Sequence, residues 1–141
     1  MVAIAMRTGI IEDFYKLRVP GVFFTAGKQR NIGQVVHVQG KPLDISRAQI
    51  EIDAGLEWTN TIVLVEAKST LQPRAFDVKQ VIYPLLKWKG LLPKKKIFSV
   101  VMLSNVRSRS VVFRFYDMVP DSRYAPFGSR IKRSFEYEII T

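Results

Sequence analysis

Hydrophobic positions along the chain follow two different periods. From Asp77 to Trp88, apolar residues recur three and four positions apart, which predicts one long amphipathic helix. Short apolar segments at 22–24, 35–38 and 97–103 predict strands, and so does 111–116, where Val112, Arg114 and Tyr116 alternate with Val111, Phe113 and Phe115. These elements predict a central sheet flanked by few helices, in the α/β or α+β class.

Local residue patterns predict the shorter elements. Thr8 precedes a short helical segment over 10–17, which Pro20 ends. The segment 27–31 predicts a polar loop and 40–42 a turn, because both contain glycine among polar residues. The segment 134–140 predicts an edge strand at the end of the sheet.

The segment from about 48 to 68 predicts a β-hairpin, that is, two strands joined by a tight turn. A two-residue turn at Thr59-Asn60 would place Asp53 opposite Glu66, and Glu51 opposite Lys68. Because side chains alternate along a strand, these four charged residues would share one face. The opposite face would be almost entirely apolar, with Ile52, Ala54, Leu56 and Trp58 across from Ala67, Val65, Val63 and Thr61.

Facing carboxylates repel each other at the distance of opposed strand residues. A cation between Asp53 and Glu66 would offset that repulsion, and a divalent metal with oxygen ligands suits the position. The modest alternative is the Lys68 ammonium alone. The alternative without any site is a solvated hairpin face with a Glu51–Lys68 ion pair.

Length and composition narrow the class of protein. The chain has 141 residues, 48% of them hydrophobic, which suits one domain over 1–141. It has no cysteine and one histidine, which excludes disulfides, thiol catalysis and multi-histidine metal sites. The sequence holds no apolar run of membrane-spanning length and no signal-peptide core, so a soluble, cytoplasmic protein without membrane contact is expected.

Positive charge is concentrated in the second part of the chain. The net charge of the chain is +10. Residues 87–141 hold 12 basic and 4 acidic side chains, whereas residues 1–86 hold 10 basic and 8 acidic ones. That asymmetry favours a nucleic-acid partner. The candidate phosphate-binding cations are Lys28 and Arg30 ahead of the hairpin and Lys94, Lys95 and Lys96 after the long helix, with Arg107, Arg109, Arg130, Lys132 and Arg133 later in the chain. The alternative for each of them is an ordinary solvated charge.

The motif Asp53, twelve residues, then Glu66-Ala67-Lys68 at the end of an apolar strand resembles the PD-(D/E)XK nuclease superfamily, and type II restriction-endonuclease-like proteins in particular. Gln80, followed by Tyr83-Pro84, resembles the glutamine motif of many branches. The resemblance covers about 8–104 and implies a restriction-endonuclease-like αβββαβ core, with C-terminal strands and a basic extension over 105–141. Ile52 stands where proline is common in the superfamily.

The resemblance implies a metal-dependent DNA endonuclease that hydrolyses phosphodiester bonds. Asp53, Glu66 and the Ala67 carbonyl would hold Mg²⁺, with Mn²⁺ as the alternative ion. Lys68 would orient or help to deprotonate the attacking water, and Gln80 would position water or a phosphate. Glu12 matches an auxiliary acidic position of many relatives, although a solvated helix carboxylate is the favoured interpretation there.

Cutting both strands with one site per chain implies a homodimer. The chain is short for a restriction enzyme, which leaves open a separate sequence-recognition domain or subunit. Two other functions remain open: a structure-specific nuclease such as a Holliday-junction resolvase, and an inactive nuclease fold that binds nucleic acid. The intact Asp53, Glu66 and Lys68 set disfavours the inactive fold.

Overall fold

The computed structural model describes residues 1–30, 35–38, 41–44, 49–72, 74, 77–121, 123 and 129–141. These residues form three helices and eight strands. The helices are α1 (Val2–Arg7), α2 (Ile10–Tyr15) and α3 (Val78–Leu91). The strands are β1 (Val22–Arg30), β2 (Val35–Val38), β3 (Lys41–Asp44), β4 (Gln49–Glu57), β5 (Thr61–Lys68), β6 (Lys96–Val106), β7 (Ser110–Pro120) and β8 (Ser129–Ile140).

Six of the strands form one mixed sheet in the order β1-β4-β5-β6-β7-β8, and β2 and β3 form a separate hairpin. Neighbouring strands in the large sheet are antiparallel except β5 and β6, which run parallel. Helix α3 connects that parallel pair, as parallel strands require a crossover. The fold is therefore of the mixed α+β class, with few helices.

Helices cover both faces of the sheet. One core cluster joins α1 and α2 to β4–β7 through buried residues such as Phe14, Val65, Phe113 and Phe115. On the other face, Ile82 and Leu85 of α3 pack on strand residues such as Leu64. Burial on both faces explains the continuous apolar run of β5. None of the described helices has the length and apolarity needed to cross a membrane.

The long helix and the edge strand are confirmed. Asp77 caps α3, accepting a hydrogen bond from the Lys79 N–H at 2.9 Å. Strand β8 lies at the edge of the sheet, although it begins at Ser129. The predicted loop over 27–31 is wrong up to Arg30, because β1 continues and pairs Arg30 with Gln49. The predicted turn is wrong at Lys41 and Pro42, which begin β3, and Gly40 lies outside the described residues.

Candidate active site

The hairpin of β4 and β5 has the predicted register. Trp58 and Thr61 exchange backbone hydrogen bonds of 2.8 and 3.4 Å around the two-residue turn. Further along the pair, Ala54 is the partner of Val65. The predicted turn and pairing are thus confirmed up to that point, beyond which the two strands are no longer paired.

The backbone of β4 departs from the ladder next to Asp53. Hydrogen-bonded pairs alternate in an antiparallel ladder, so after Ala54–Val65 the next would be Ile52 with Ala67. Instead, the Ala67 N–H donates to the Asp53 Oδ2 at 2.8 Å. Strand β4 also carries one extra residue relative to β1 between Gly55 and Ile52. Such a bulge re-aims side chains, and here it turns the Asp53 carboxylate toward the end of β5.

The same bulge corrects the prediction for Ile52. Regular alternation predicted Ile52 on the same face as Ala54 and Leu56. In the structure Ile52 packs with Ile62 and Leu64 on the α3 side, whereas Ala54 belongs to the cluster on the other face. The extra residue shifts the alternation, and a hydrophobicity pattern contains no signal for that shift. The Glu51 side chain lies outside the described part of the chain.

Glu66 and Asp53 lie near each other, although the ladder that was predicted to pair them ends at Ala54 and Val65. The Glu66 side chain is 7% exposed, and its Oε1 lies 2.7 Å from the Lys68 Nζ. Burial raises the pKa of Glu66, the Lys68 hydrogen bond lowers it, and the charge of Asp53 and a hydrogen bond to the Asp53 carboxyl raise it again. The Asp53 carboxyl is therefore close enough to act on Glu66, with Lys68 on the same strand beside them.

The Ala67 carbonyl faces the same gap. In an extended strand, the N–H and C=O of one residue point to the same side, and the Ala67 N–H points to Asp53. Among the described residues, the ladder pairs of β4 and β5 end at Ala54 and Val65, so the Ala67 carbonyl lies beyond the last pair. The gap between the strands thus gathers one carbonyl and two carboxylates.

Gln80 lies next to this group, with a structural role as well. Its Oε1 accepts from the Asp77 N–H at 3.2 Å and completes the capping box of α3. It also lines a cavity of about 10 Å³ with Glu66 and Ser99, close to the smallest that holds one water. Pro84, another lining residue, has no N–H to donate to the Gln80 carbonyl. Ser99 was missed by the sequence analysis, although it is the polar residue in the apolar run of β6.

The donor set suits a hard divalent cation. Among the described residues there is no group of three or more histidine, cysteine, aspartate or glutamate side chains that could hold a metal. Mg²⁺ is typically bound through only one or two carboxylates, with waters and substrate phosphates completing its octahedron. Asp53, Glu66 and the Ala67 carbonyl meet that smaller requirement. Burial and, less strongly, the Asp53 charge raise the pKa of Glu66, and a bound cation would offset both.

The predicted phosphate-binding cations divide between two ends of the sheet. Lys96 pairs with Thr61 at the start of β5, and Lys68 pairs with Leu103 at its end. At a rise of ~3.3 Å per residue, these ends lie about 23 Å apart. The structure thus places Lys94, Lys95 and Lys96 away from the carboxylates, with Lys95 ion-paired to Glu57. The backbones of Lys28 and Arg30 lie in β1 at the carboxylate end, and their side chains lie outside the described residues.

Glu12 also lies away from the carboxylate pair. Its Oε1 accepts from the Gly21 N–H at 3.2 Å, next to the β1–β4 pairing of Val22 with Glu57. That position is at the hairpin-turn end of the sheet. The Oε2 atom is buried without a hydrogen-bond partner, so neither the auxiliary role nor a fully solvated carboxylate describes Glu12.

A family model described as a domain of unknown function, DUF6997, matches residues 1–126. The chain therefore belongs to the DUF6997 family, and the match contains the whole candidate site and ends before β8. Searches of curated proteins and of solved structures give no match to the chain.

Proposed function

We propose that this protein is a metal-dependent endonuclease that hydrolyses phosphodiester bonds in DNA. The observation that carries the proposal is the bulge in β4, which turns Asp53 toward Glu66 and Lys68 at the point where β4 and β5 part. A buried carboxylate beside a second carboxylate and an ammonium group is costly to fold, and such arrangements cluster at functional sites.

Each residue has a role that its position supports. Asp53, Glu66 and the Ala67 carbonyl would hold the ion, Mg²⁺ or Mn²⁺. When bound, the ion would supply Lewis-acid activation of the scissile phosphate and of a water. Lys68 is held by Glu66 at 2.7 Å and would orient the attacking water and offset negative charge on the phosphate. Gln80 would hold a water in the cavity that it shares with Glu66.

The order of elements supports the proposal independently of the side chains. Helix α2 precedes three antiparallel strands, β1, β4 and β5, and α3 then leads to the parallel strand β6. This is the αβββαβ order that the resemblance implies, with the β2–β3 hairpin inserted. The site occupies the end of the third strand of that series.

The proposal extends to the partners. A DNA duplex is the substrate, a homodimer supplies one site for each strand, and sequence recognition belongs to a separate domain or subunit. A Holliday-junction resolvase with the same site is the second enzyme candidate, and branched against linear substrates would separate the two. An inactive binding fold is the third candidate, and a complete Asp53, Glu66 and Lys68 set argues against it.

The test is relaxation of supercoiled plasmid DNA by the wild-type chain with Mg²⁺, Mn²⁺ or EDTA. We expect nicking with either ion, none in EDTA, and none from Glu66→Gln. The matched control is Glu57→Gln, at the turn end of the same hairpin, which should cut like the wild type. DNA binding without cutting in any metal would favour the inactive fold, and cleavage by Glu66→Gln would remove this site from the reaction.

A further inference from the structure

The turn between β6 and β7 projects beyond the carboxylate end of the sheet. Lys68, the last residue of β5, pairs with Leu103, and β6 continues to Val106 before the turn. At ~3.3 Å per residue, Arg107 stands about 13 Å past Lys68 in the strand direction. Residues 105–109 are all exposed.

Two arginines stand in this turn, and its backbone is fixed. The Arg107 N–H donates to the Ser110 carbonyl at 2.8 Å, and the Thr141 N–H donates to the Arg109 carbonyl at 2.9 Å. The Arg107 guanidinium lies 3.6 Å from Glu138 and is still half exposed. The turn therefore presents positive charge from a held backbone, which lowers the entropy lost on binding a ligand.

We propose that Arg107 and Arg109 form the phosphate-binding turn that holds DNA over the Asp53–Glu66 site, an inference that rests on the proposed function. Duplex DNA carries one charge per about 1.7 Å of its axis, so a duplex seated on the carboxylates presents further phosphates about 13 Å away. Arginine suits those phosphates because its planar guanidinium can donate two parallel hydrogen bonds.

The lysine turn at the other end of the sheet provides a matched comparison. Lys94 and Lys96 are exposed, and they lie about 23 Å from the end of β5 by the strand rise. Removing Lys94 and Lys96 changes the net charge by the same amount as removing Arg107 and Arg109. A difference between the two double variants therefore reports position and not total charge.

The experiment measures binding to a short DNA duplex in EDTA over a series of salt concentrations, so that no cleavage is needed. For R107A/R109A we expect the slope of log affinity against log salt to weaken by about 1.8, as two lost phosphate contacts predict. For K94A/K96A the slope should stay at the wild-type value. Circular dichroism confirms that both variants are folded.

The outcomes separate this inference from the proposed function. Suppose that the wild type nicks plasmid with Mg²⁺, but that only K94A/K96A shows a weaker dependence of DNA affinity on salt. The proposed phosphate-binding turn is then wrong, and the proposed nuclease function is supported. If R107A/R109A alone loses slope while wild type never cuts, the turn stands and the nuclease fails. If wild type does not bind the duplex at any salt concentration, both proposals fail.

Discussion

Two buried carboxylates in this fold have opposite surroundings. Asp117, 2% exposed, receives the Tyr15 hydroxyl at 3.0 Å on one oxygen and faces the Arg133 Nε at 3.7 Å on the other. Glu66, 7% exposed, has Lys68 on one oxygen and also faces the Asp53 carboxylate. Burial is the largest cause that raises the pKa of both groups.

The difference lies in whether the neighbouring groups favour or oppose the ionised form of the carboxyl. Around Asp117, Tyr15 and Arg133 both favour the ionised form, and the Arg133 guanidinium packs 4.2 Å above the Phe14 ring. Asp117 thus joins β7 to α2 and β8. Around Glu66, Asp53 opposes ionisation, and the sheet opens at the same place. Asp117 thus has two neighbours that favour its charge, whereas Glu66 has one that favours it, Lys68, and one that opposes it, Asp53. The proposed metal ion would offset that opposition.

The largest effect is expected from Lys68→Ala. If the ammonium stabilises charge on the phosphate, plasmid cleavage should fall by about 10²-fold or more, with DNA affinity within a few-fold of wild type. The control is Lys95→Ala, which removes a cation paired with Glu57 at the other end of β5. Cleavage by Lys68→Ala at the wild-type rate would show that the Lys68 ammonium has no role in the reaction.

The free energy of unfolding should fall more when Asp117 is removed than when Asp53, at the candidate site, is removed. Asp117→Ala leaves the Tyr15 hydroxyl and the buried side of Arg133 without their acceptor, so the free energy of unfolding should fall by about 3 kcal/mol. Asp53→Ala removes an exposed carboxylate and the hydrogen bond that it accepts from the Ala67 N–H, but it relieves repulsion with Glu66, so the change should stay within about 1 kcal/mol. Urea denaturation without divalent ions measures both. A larger loss for Asp53→Ala would make Asp53 a structural residue.

The smallest effect concerns the titration of Glu66, measured by carbon-detected NMR without metal. Asp53→Asn should lower the pKa of Glu66, and Lys68→Ala should raise it further, because the first neighbour opposes ionisation and the second favours it. Since the folded pKa is raised above the unfolded one, Glu66 should add stability as pH falls from above the folded pKa to about 4.5. An unchanged Glu66 pKa in Asp53→Asn would show that the Asp53 charge does not act on Glu66.

Sequence reasoning could reach the register from Trp58–Thr61 to Ala54–Val65, because a two-residue turn fixes every opposed pair of a regular hairpin. It could not reach the bulge, because one extra backbone residue in β4 changes the geometry without changing the hydrophobic pattern. It named Lys94, Lys95 and Lys96 as phosphate-binding cations from their charge and their place after the long helix, which gives no position relative to the carboxylates. The parallel β5–β6 pairing sends them to the opposite end of the sheet.

Anomalous diffraction from a crystal of the wild-type protein grown with Mn²⁺ shows directly whether Asp53 and Glu66 bind a metal ion. We expect one peak or two adjacent peaks in the gap between β4 and β5, within about 2.5 Å of oxygens of Asp53, Glu66 and the Ala67 carbonyl. The buried Asp117 should show none, because Tyr15 and Arg133 already occupy its oxygens. A gap without a peak at saturating Mn²⁺, with Lys68 still ion-paired to Glu66, would rule out the proposed metal site.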